Sequence, residues 1–332
     1  FTTNLFEKTS TYRIYSRSIC NFIFPDEIKR PKPPKRITKI ENENILDGNY
    51  IEDDIEDEET DKDKEEKEEE EEEKEEIGTY KDEIIKTLSK LRKDKDKYFS
   101  MDALRIYSPK FLKIYENLVN PEHIGTHLIY SQFRTLEGIG IFKLILLKYG
   151  FSELKLKRDS DNNYILDTSF EPDIKRFVLY TGTESESHKD IIRNIFNGSW
   201  DLIPSNIRKQ LEFIRLKNTN KAKNNLYGDI VKTLFITASG AEGISLKNVR
   251  YVHITEPYWH PVRIEQIIGR ARRICSHKDL PKEHQTVQVY LYLMKFSEEQ
   301  IQSIIKKKAI SNGEDKTTDQ ELYILSENKK RI

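Results

Sequence analysis

The chain has 332 residues, a formal net charge of −1, and 34% charged residues. Its two cysteines, Cys20 and Cys275, exclude a disulfide framework and a four-cysteine metal site, and they suit a reducing compartment. No run of 18 apolar residues occurs, so the composition predicts no membrane-spanning helix. Because the chain begins at Phe1 rather than methionine, we expect it to continue from an upstream segment.

The near-zero net charge hides two regions of opposite sign. Residues 52–76 hold 19 acidic residues and 4 lysines, a net of −15, so the remainder carries +14. A basic surface of this size favours polyanions, nucleic acid first. The acidic run is typical of a solvated linker or a charged helix, and the alternative is that it mimics nucleic acid on the basic surface.

The first 80 residues predict no compact core. Residues 1–45 mix aromatic patches with the sequence RPKPPKR, whose prolines forbid a long helix, so we predict an extended arm. Residues 46–80 form the acidic linker, which we expect to be disordered or helical. A helical period returns between Asp82 and Lys93.

From about residue 100, apolar runs alternate between strand and helix patterns. Strands are predicted at 127–133, 175–182, 232–240, 250–257 and 287–294, and helices at 140–150, 187–196, 261–275 and 297–308, while residues 211–218 are amphipathic. This alternation predicts an α/β fold, a parallel sheet with helices on both faces. Residues 152–174 fit no such unit and are predicted to be a surface insertion, and residues 311–332 are predicted to be a partly helical tail.

Polar residues follow the predicted strands, where ligands bind in parallel sheets. Hydroxyl, amide and glycine groups at such ends bring hydrogen-bond donors near phosphate oxygens without bulk. The residues at these ends are Ser131, Gln132, Thr181, Thr237 and Ser239, with Gly243 further along the last of these loops.

The predicted helix 261–275 carries a polar row opposite its apolar face. Gln266, Arg270 and Arg273 are spaced i, i+4 and i+7, and the apolar positions are Ile264, Ile267, Ile268, Ala271 and Cys275. Taken alone, this pattern also fits a surface helix with salt bridges.

A series of motifs resembles a known family. QIIGRARR (266–273) resembles motif VI, QxxGRxxR, of superfamily 2 helicases, TASGAEGISL (237–246) resembles motif V, and IYSQF (129–133) resembles motif IV. Together with YRIYSRSICNFIFP and YTGTE, the series is similar to the C-terminal half of the helicase-like ATPases of large nucleocytoplasmic DNA viruses. These are relatives of poxvirus nucleoside triphosphatase I and the small subunit of the early transcription factor. The likeness covers about residues 12–25 and 105–300.

The resemblance implies a RecA-like lobe over residues 81–310, preceded by an arm that continues from a missing upstream lobe. It implies that Arg270 and Arg273 are arginine fingers for the γ-phosphate of ATP and that Gln266 orients them or the attacking water. It further implies nucleotide contacts from Glu242, Gly243 and Gly269. Contacts to a nucleic-acid backbone are implied for Ser131, Gln132, Thr181, Thr237 and Ser239.

Two departures from the family pattern limit what this chain does alone. No Walker A loop, GxxxxGK[ST], occurs, and FIFPDEI (22–28) only mimics a Walker B strand because Pro25 interrupts it. We therefore expect no ATP hydrolysis by the chain alone. ATP and Mg²⁺ would be held mainly by the missing lobe, and no metal site is predicted here.

The sequence thus predicts the C-terminal lobe of an ATP-dependent nucleic-acid translocase or helicase. Its expected partners are a DNA or RNA backbone, the upstream lobe, and viral RNA polymerase or transcription factors, in the virion or the infected-host cytoplasm and without a membrane. The alternative is a non-catalytic module that binds nucleic acid or docks on a partner. A scaffold role is a third hypothesis, although a scaffold does not need paired finger arginines.

Overall fold

A computed structural model describes residues 14–32, 64–181, 185–218, 224–241, 243–307 and 316–330, with the backbone alone for residues 64–77 and 303–307. Its centre is a six-stranded sheet in which every neighbouring pair is parallel. From edge to edge the strands are β2 (Ser152–Glu153), β5 (Arg176–Tyr180), β6 (Thr233–Ile236), β1 (Thr126–Tyr130), β7 (Val249–Ile254) and β8 (Gln288–Leu291).

Helices connect the strands and flank them along the chain. They are α1 (Ile14–Ile19), α2 (Lys64–Lys93), α3 (Lys95–Tyr98), α4 (Met101–Tyr107), α5 (Pro109–Val119), α6 (Ile139–Lys148), α7 (Glu186–Phe196), α8 (Ser205–Lys217), α9 (Pro261–Ala271), α10 (Glu298–Lys307) and α11 (Thr318–Lys330). None of the helices in the described ranges is both long enough and apolar enough to cross a membrane.

The sheet separates two apolar layers because successive strand residues point to opposite faces. Leu128 of β1 lies in one layer together with α7, α8 and the buried Ile267 of α9. The next residue, Ile129, lies in the other layer with α5, α6 and Phe22 of the N-terminal segment. Both faces of the sheet are therefore covered by helices, which confirms the predicted α/β, RecA-like fold.

The predicted insertion at 152–174 contributes one strand to the sheet and one hairpin beside it. β2 pairs with β5 at the sheet edge. β3 (Lys155–Arg158) and β4 (Tyr164–Asp167) pair antiparallel in a separate two-stranded sheet. The Leu166 amide donates to Gln210 Oε1 at 2.9 Å, which ties this hairpin to α8.

The N-terminal arm is not wholly extended. Ile14–Ile19 forms a short helix, and the following segment packs into the domain with Phe22 fully buried and Ile28 5% exposed. The prolines that limit helix formation begin at Pro25, after this helix has ended. Residues 1–13 and 33–45 of the predicted arm lie outside the described residues.

Part of the acidic linker is helical. α2 runs from Lys64 to Lys93 and crosses the predicted boundary at residue 80 without a break. Its C-terminal half packs on the domain, with Ile84 6% exposed and Leu91 fully buried. Residues 46–63 of the predicted linker lie outside the described residues.

The helix that carries the arginine row is shorter than predicted. α9 ends at Ala271, and Cys275 lies beyond it, exposed and with a φ of 60°. Loop groups take the last helical carbonyls, because the Leu246 amide donates to the Arg270 oxygen and the Ser276 hydroxyl to the Ala271 oxygen. These bonds replace the next helical turn. The expectation that Cys275 faces the core and that Arg273 lies on the helix is therefore wrong.

Candidate functional site

A buried carboxylate, Glu256, organises the carboxyl ends of β1 and β7. It is 0% exposed and accepts hydrogen bonds from the Ser131 hydroxyl at 2.7 Å and the Gln132 amide at 2.9 Å. The side-chain amide of Asn21 donates a third bond. Burial raises the pKa of Glu256, and the charge of Lys110 and these bonds oppose the rise. The carboxylate therefore holds two strand ends and the N-terminal segment together.

The N-terminal segment crosses this edge of the sheet and contributes cations to it. Arg17 donates to the Gln132 side-chain oxygen, and its guanidinium lies 5.7 Å from the Phe133 ring centroid and 5.8 Å from that of Tyr258. Arg30 forms a salt bridge with the buried Glu137. The segment is thus bonded to the residues that follow β1 and β7.

The predicted nucleic-acid contacts Ser131 and Gln132 are largely enclosed. Ser131 is 2% exposed and Gln132 is 5% exposed, and both bond to protein groups. The two residues are adjacent in the chain, and their side chains bond to Glu256 and Arg17 respectively. Their role toward nucleic acid stays a prediction.

The other three predicted contacts form a second cluster at the ends of β5 and β6. The Thr237 and Ser239 hydroxyls both donate to the backbone oxygen of Thr181, at 3.0 and 2.9 Å. Thr181 and Thr237 are buried, whereas Ser239 is exposed. Of the five predicted contacts, Ser239 is therefore the one that presents most surface in this chain.

Two glycines shape the loop after β6. A Cβ at Gly240 would lie 2.1 Å from the Tyr180 backbone oxygen, so only glycine allows this close approach. Gly243 adopts a φ of 69°, a conformation that side chains disfavour. Glu242, predicted to contact the nucleotide, lies outside the described residues.

The arginine row occupies a different part of the molecule from the strand-end clusters. α9 follows the carboxyl end of β7 and runs back along the sheet, so that the Ser276 oxygen accepts from the amide of Asn248, the residue before β7. Arg270 lies in the last turn, beside Leu246 of the loop after β6. One backbone hydrogen bond thus joins the loop after β6 to the end of α9.

In the described ranges, no carboxylate forms a salt bridge with the guanidinium groups of this row. Arg270 is half-buried and its Nε atom is buried without a hydrogen-bond partner in the part of the chain that the structure describes. Arg273 is exposed, as is Gln266. No salt bridge involves Arg270 or Arg273 among the described residues. The row is therefore available to an anion from outside the chain.

Sequence reasoning missed the charged residues that join distant segments at the carboxyl edge. Lys110 donates to Asn21 Oδ1 at 2.9 Å and to Asp319 Oδ2 at 2.5 Å, and all three side chains are buried. The sequence signal that could have pointed to such buried residues is a polar residue within an apolar run, such as Asn21 in ICNFIF. Asn21 and Asp319, however, lie 89 and 209 positions from Lys110 along the chain. Among the described residues, no three His, Cys, Asp or Glu side chains converge as metal ligands.

Comparison with known proteins supports the resemblance carried by the motifs. Residues 209–275 match the helicase conserved C-terminal domain. Two proteins of Acanthamoeba polyphaga mimivirus, provisionally described as ATP-dependent RNA helicases, are 33% identical over 198 residues and 28% identical over 320 residues. The matches cover 60% and 86% of this chain, and 28% and 34% of the relatives.

A third relative comes from African swine fever virus. This termination factor NPH-I homolog is 28% identical over 228 residues, which are 65% of this chain and 28% of that protein. The chain therefore spans about a third or less of the length of these relatives. The predicted likeness to viral helicase-like ATPases is confirmed by these matches.

Proposed function

Because the chain carries a helicase C-terminal domain shared with helicase-like proteins of large DNA viruses, we propose that it is the second lobe of an ATP-dependent nucleic-acid translocase or helicase. In this proposal an upstream lobe holds ATP and Mg²⁺. Arg270 and Arg273 then reach the γ-phosphate when the two lobes close. Viral RNA polymerase or transcription factors are the partners that we propose for the whole protein.

The observation that carries this proposal is that no carboxylate among the described residues pairs with the guanidinium groups of Arg270 and Arg273. A surface helix in which arginine serves solubility alone would pair these charges with nearby acids. Here the nearest acidic residue of the same helix, Glu265, lies one position from Gln266 and forms no salt bridge with Arg270 among the described residues. A planar, always-charged guanidinium stabilises the negative charge that spreads over phosphoryl oxygens during transfer.

Gly269 is a second observation that supports a nucleotide site beside Arg270. A glycine within a helix costs about 1 kcal/mol relative to alanine, so its presence calls for a reason. A Cβ at Gly269 would meet no atom within 4 Å, and the described part of this chain therefore supplies no packing reason for it. Close approach of a nucleotide or of the other lobe beside Arg270 is the reason that we propose.

The test is Arg273→Ala in the full-length protein. We expect ATP binding to change little and turnover to fall by on the order of 10³ or more, as with other arginine fingers. Arg272→Ala is the matched control, since Arg272 is equally exposed and adjacent but lies outside the QxxGRxxR pattern. Equal turnover in the two variants would contradict the assignment.

The second candidate function is a binding module without catalysis. It is favoured by the +14 charge outside residues 52–76 and by the missing Walker A loop. This candidate predicts that the full-length protein binds oligonucleotides with an affinity that falls steeply with salt, yet shows no nucleic-acid-stimulated ATP hydrolysis. Stimulated hydrolysis would favour the translocase.

A further inference from the structure

The amino end of the sheet, opposite the Glu256 cluster, carries a cavity of about 640 Å³. Its walls come from segments that directly precede strands: residues 118–121, 123 and 124 before β1, Lys175 before β5 and Lys232 before β6. Tyr227, Asp229 and His284 complete the lining. The volume is within the range of small-ligand pockets, and none of these residues takes part in the proposed ATP or nucleic-acid contacts.

Positive charge exceeds negative charge at this cavity. Lys175 and Lys232 line it, and Arg250 donates to the backbone oxygen of Ile124, a lining residue, at 2.5 Å. Asp229 is the carboxylate in the wall. Among the described residues, no carboxylate lies within salt-bridge distance of the three cations. Two lysines and one carboxylate thus line the cavity, and the Arg250 guanidinium lies beside its wall at Ile124.

Lys232 is held in place with donor capacity to spare. Its ammonium donates to the backbone oxygens of His123 at 2.8 Å and Gly125 at 2.9 Å. An ammonium has three donors, so one is left for a ligand. Burial, followed by the charges of Lys175 and Arg250, lowers the pKa of Lys232 to about 8. A bound anion would favour its charged form.

Two buried nitrogen atoms, one in the cavity wall and one in Arg250 beside it, have no partner within the described ranges. His284 Nδ1 is buried without a hydrogen bond, and its ring meets that of Tyr227 edge-on with centroids 6.1 Å apart. Arg250 Nε is likewise buried and unbonded. Buried polar atoms are normally satisfied, so such atoms indicate a ligand or solvent oxygen beside them.

We propose that this cavity binds a multivalent oxyanion of the phosphate class. Its two ammonium groups and the neighbouring guanidinium come from three segments, and phosphate oxygens are acceptors that such groups bind strongly in proteins. The phosphate comes either from a free small molecule or from a nucleic-acid backbone. The site is distinct from the proposed ATP contacts, because no residue of α9 lines it.

The test is calorimetric titration of the 332-residue chain with inorganic pyrophosphate at fixed ionic strength. We expect Lys175→Glu to weaken binding about tenfold or more by charge reversal. Lys175 is exposed and has no salt bridge in the described structure, so the variant should fold. Lys232→Met is the second variant and should also lose affinity. Lys209→Glu, an equal charge change at an exposed position of α8, should bind as the wild type does.

Two further measurements distinguish the cavity from the proposed ATP contacts, and a free phosphate compound from a nucleic-acid backbone. The double variant Arg270→Ala with Arg273→Ala should keep pyrophosphate affinity, whereas loss in that variant equal to the loss in Lys175→Glu would overturn the proposal. Titration with a short oligonucleotide tests whether the site binds the phosphates of a nucleic-acid backbone. Weaker binding of pyrophosphate or of the oligonucleotide by the Lys175→Glu variant, with binding kept in the arginine double variant, supports the site. No binding of either ligand, or binding that is unaffected by Lys175→Glu and Lys232→Met, overturns it.

Discussion

At the scale of single residues, Lys110 joins the two ends of the described chain. It bonds to Asn21 of the N-terminal segment and to Asp319 of α11, while its own side chain is 2% exposed and that of Asp319 is 0% exposed. Removing these charges from water is costly, and the bonds around them offset the cost. Asp319 also accepts from the Met294 amide at 2.9 Å, so each charge has further partners.

We predict that Lys110→Met lowers the free energy of unfolding by about 3–5 kcal/mol, because it leaves the Asp319 carboxylate buried without its counter-charge. Urea denaturation measures this. Lys113→Met is the control on the same helix, since Lys113 is exposed and pairs with Glu116 at the surface. It should change stability by about 1 kcal/mol at most. Similar losses in the two variants would contradict the role of Lys110.

At the scale of elements, the segment from α1 to residue 32 behaves as part of the domain rather than as a free arm. Phe22 is fully buried against neighbouring rings, and its ring centroid lies 5.3 Å from that of Phe24 and 6.3 Å from those of Phe99 and Tyr107. The Ile23 amide donates to the Tyr107 oxygen at 2.8 Å. The segment therefore closes one apolar layer as well as bonding the carboxyl edge.

We predict that Phe22→Ala destabilises the chain by about 3–5 kcal/mol, through lost burial and the cavity that remains. Ile23→Ala tests the neighbouring position, where the side chain is 43% exposed, and should cost far less. Thermal and urea unfolding of both variants decide the point. If Phe22→Ala were as stable as Ile23→Ala, the segment would not be an integral element.

At the scale of the whole molecule, a histidine pair sits in the centre of the sheet. His127 of β1 and His253 of β7 are fully buried and share a hydrogen bond of 2.9 Å, and His253 also contacts the Tyr292 hydroxyl at 2.7 Å. Burial, first among the causes, lowers the pKa of His253 to about 3 and that of His127 well below its ordinary value. Both rings are therefore neutral in the folded chain.

We predict that acid weakens the folded state through these residues. Because their folded pKa values lie below those of the unfolded chain, the unfolded chain binds more protons as the pH falls, for His253 between about pH 6.5 and pH 3. Through His253 stability should then fall by about 2 kcal/mol between about pH 7 and pH 5, and His127 contributes in the same direction. His253→Phe removes one of the two contributions. Urea midpoints at the two pH values should therefore differ less in the variant, and an equal difference would contradict the prediction.

Local patterns predicted most of the fold. Every strand predicted from residue 127 onward occurs, and β8 (Gln288–Leu291) and α7 (Glu186–Phe196) lie within a few residues of their predicted ranges. Hydrophobic periodicity is a property of neighbouring residues, and burial on one or both faces enforces it. The end of α9 was missed because it depends on Leu246 and Ser276, which take the helical carbonyls from outside the helix.

By itself the sequence determined the class of fold, the family resemblance and the polar residues that follow the strands, since each is written in local order and spacing. Only the tertiary structure decided what those residues face. It turned Ser131 toward Glu256, set Arg270 beside Leu246, and gathered Lys175 and Lys232 at the opposite end of the sheet. The physical reason is that a buried or crowded charge acquires its partners from segments that are distant along the chain, and spacing within one segment carries no information about them.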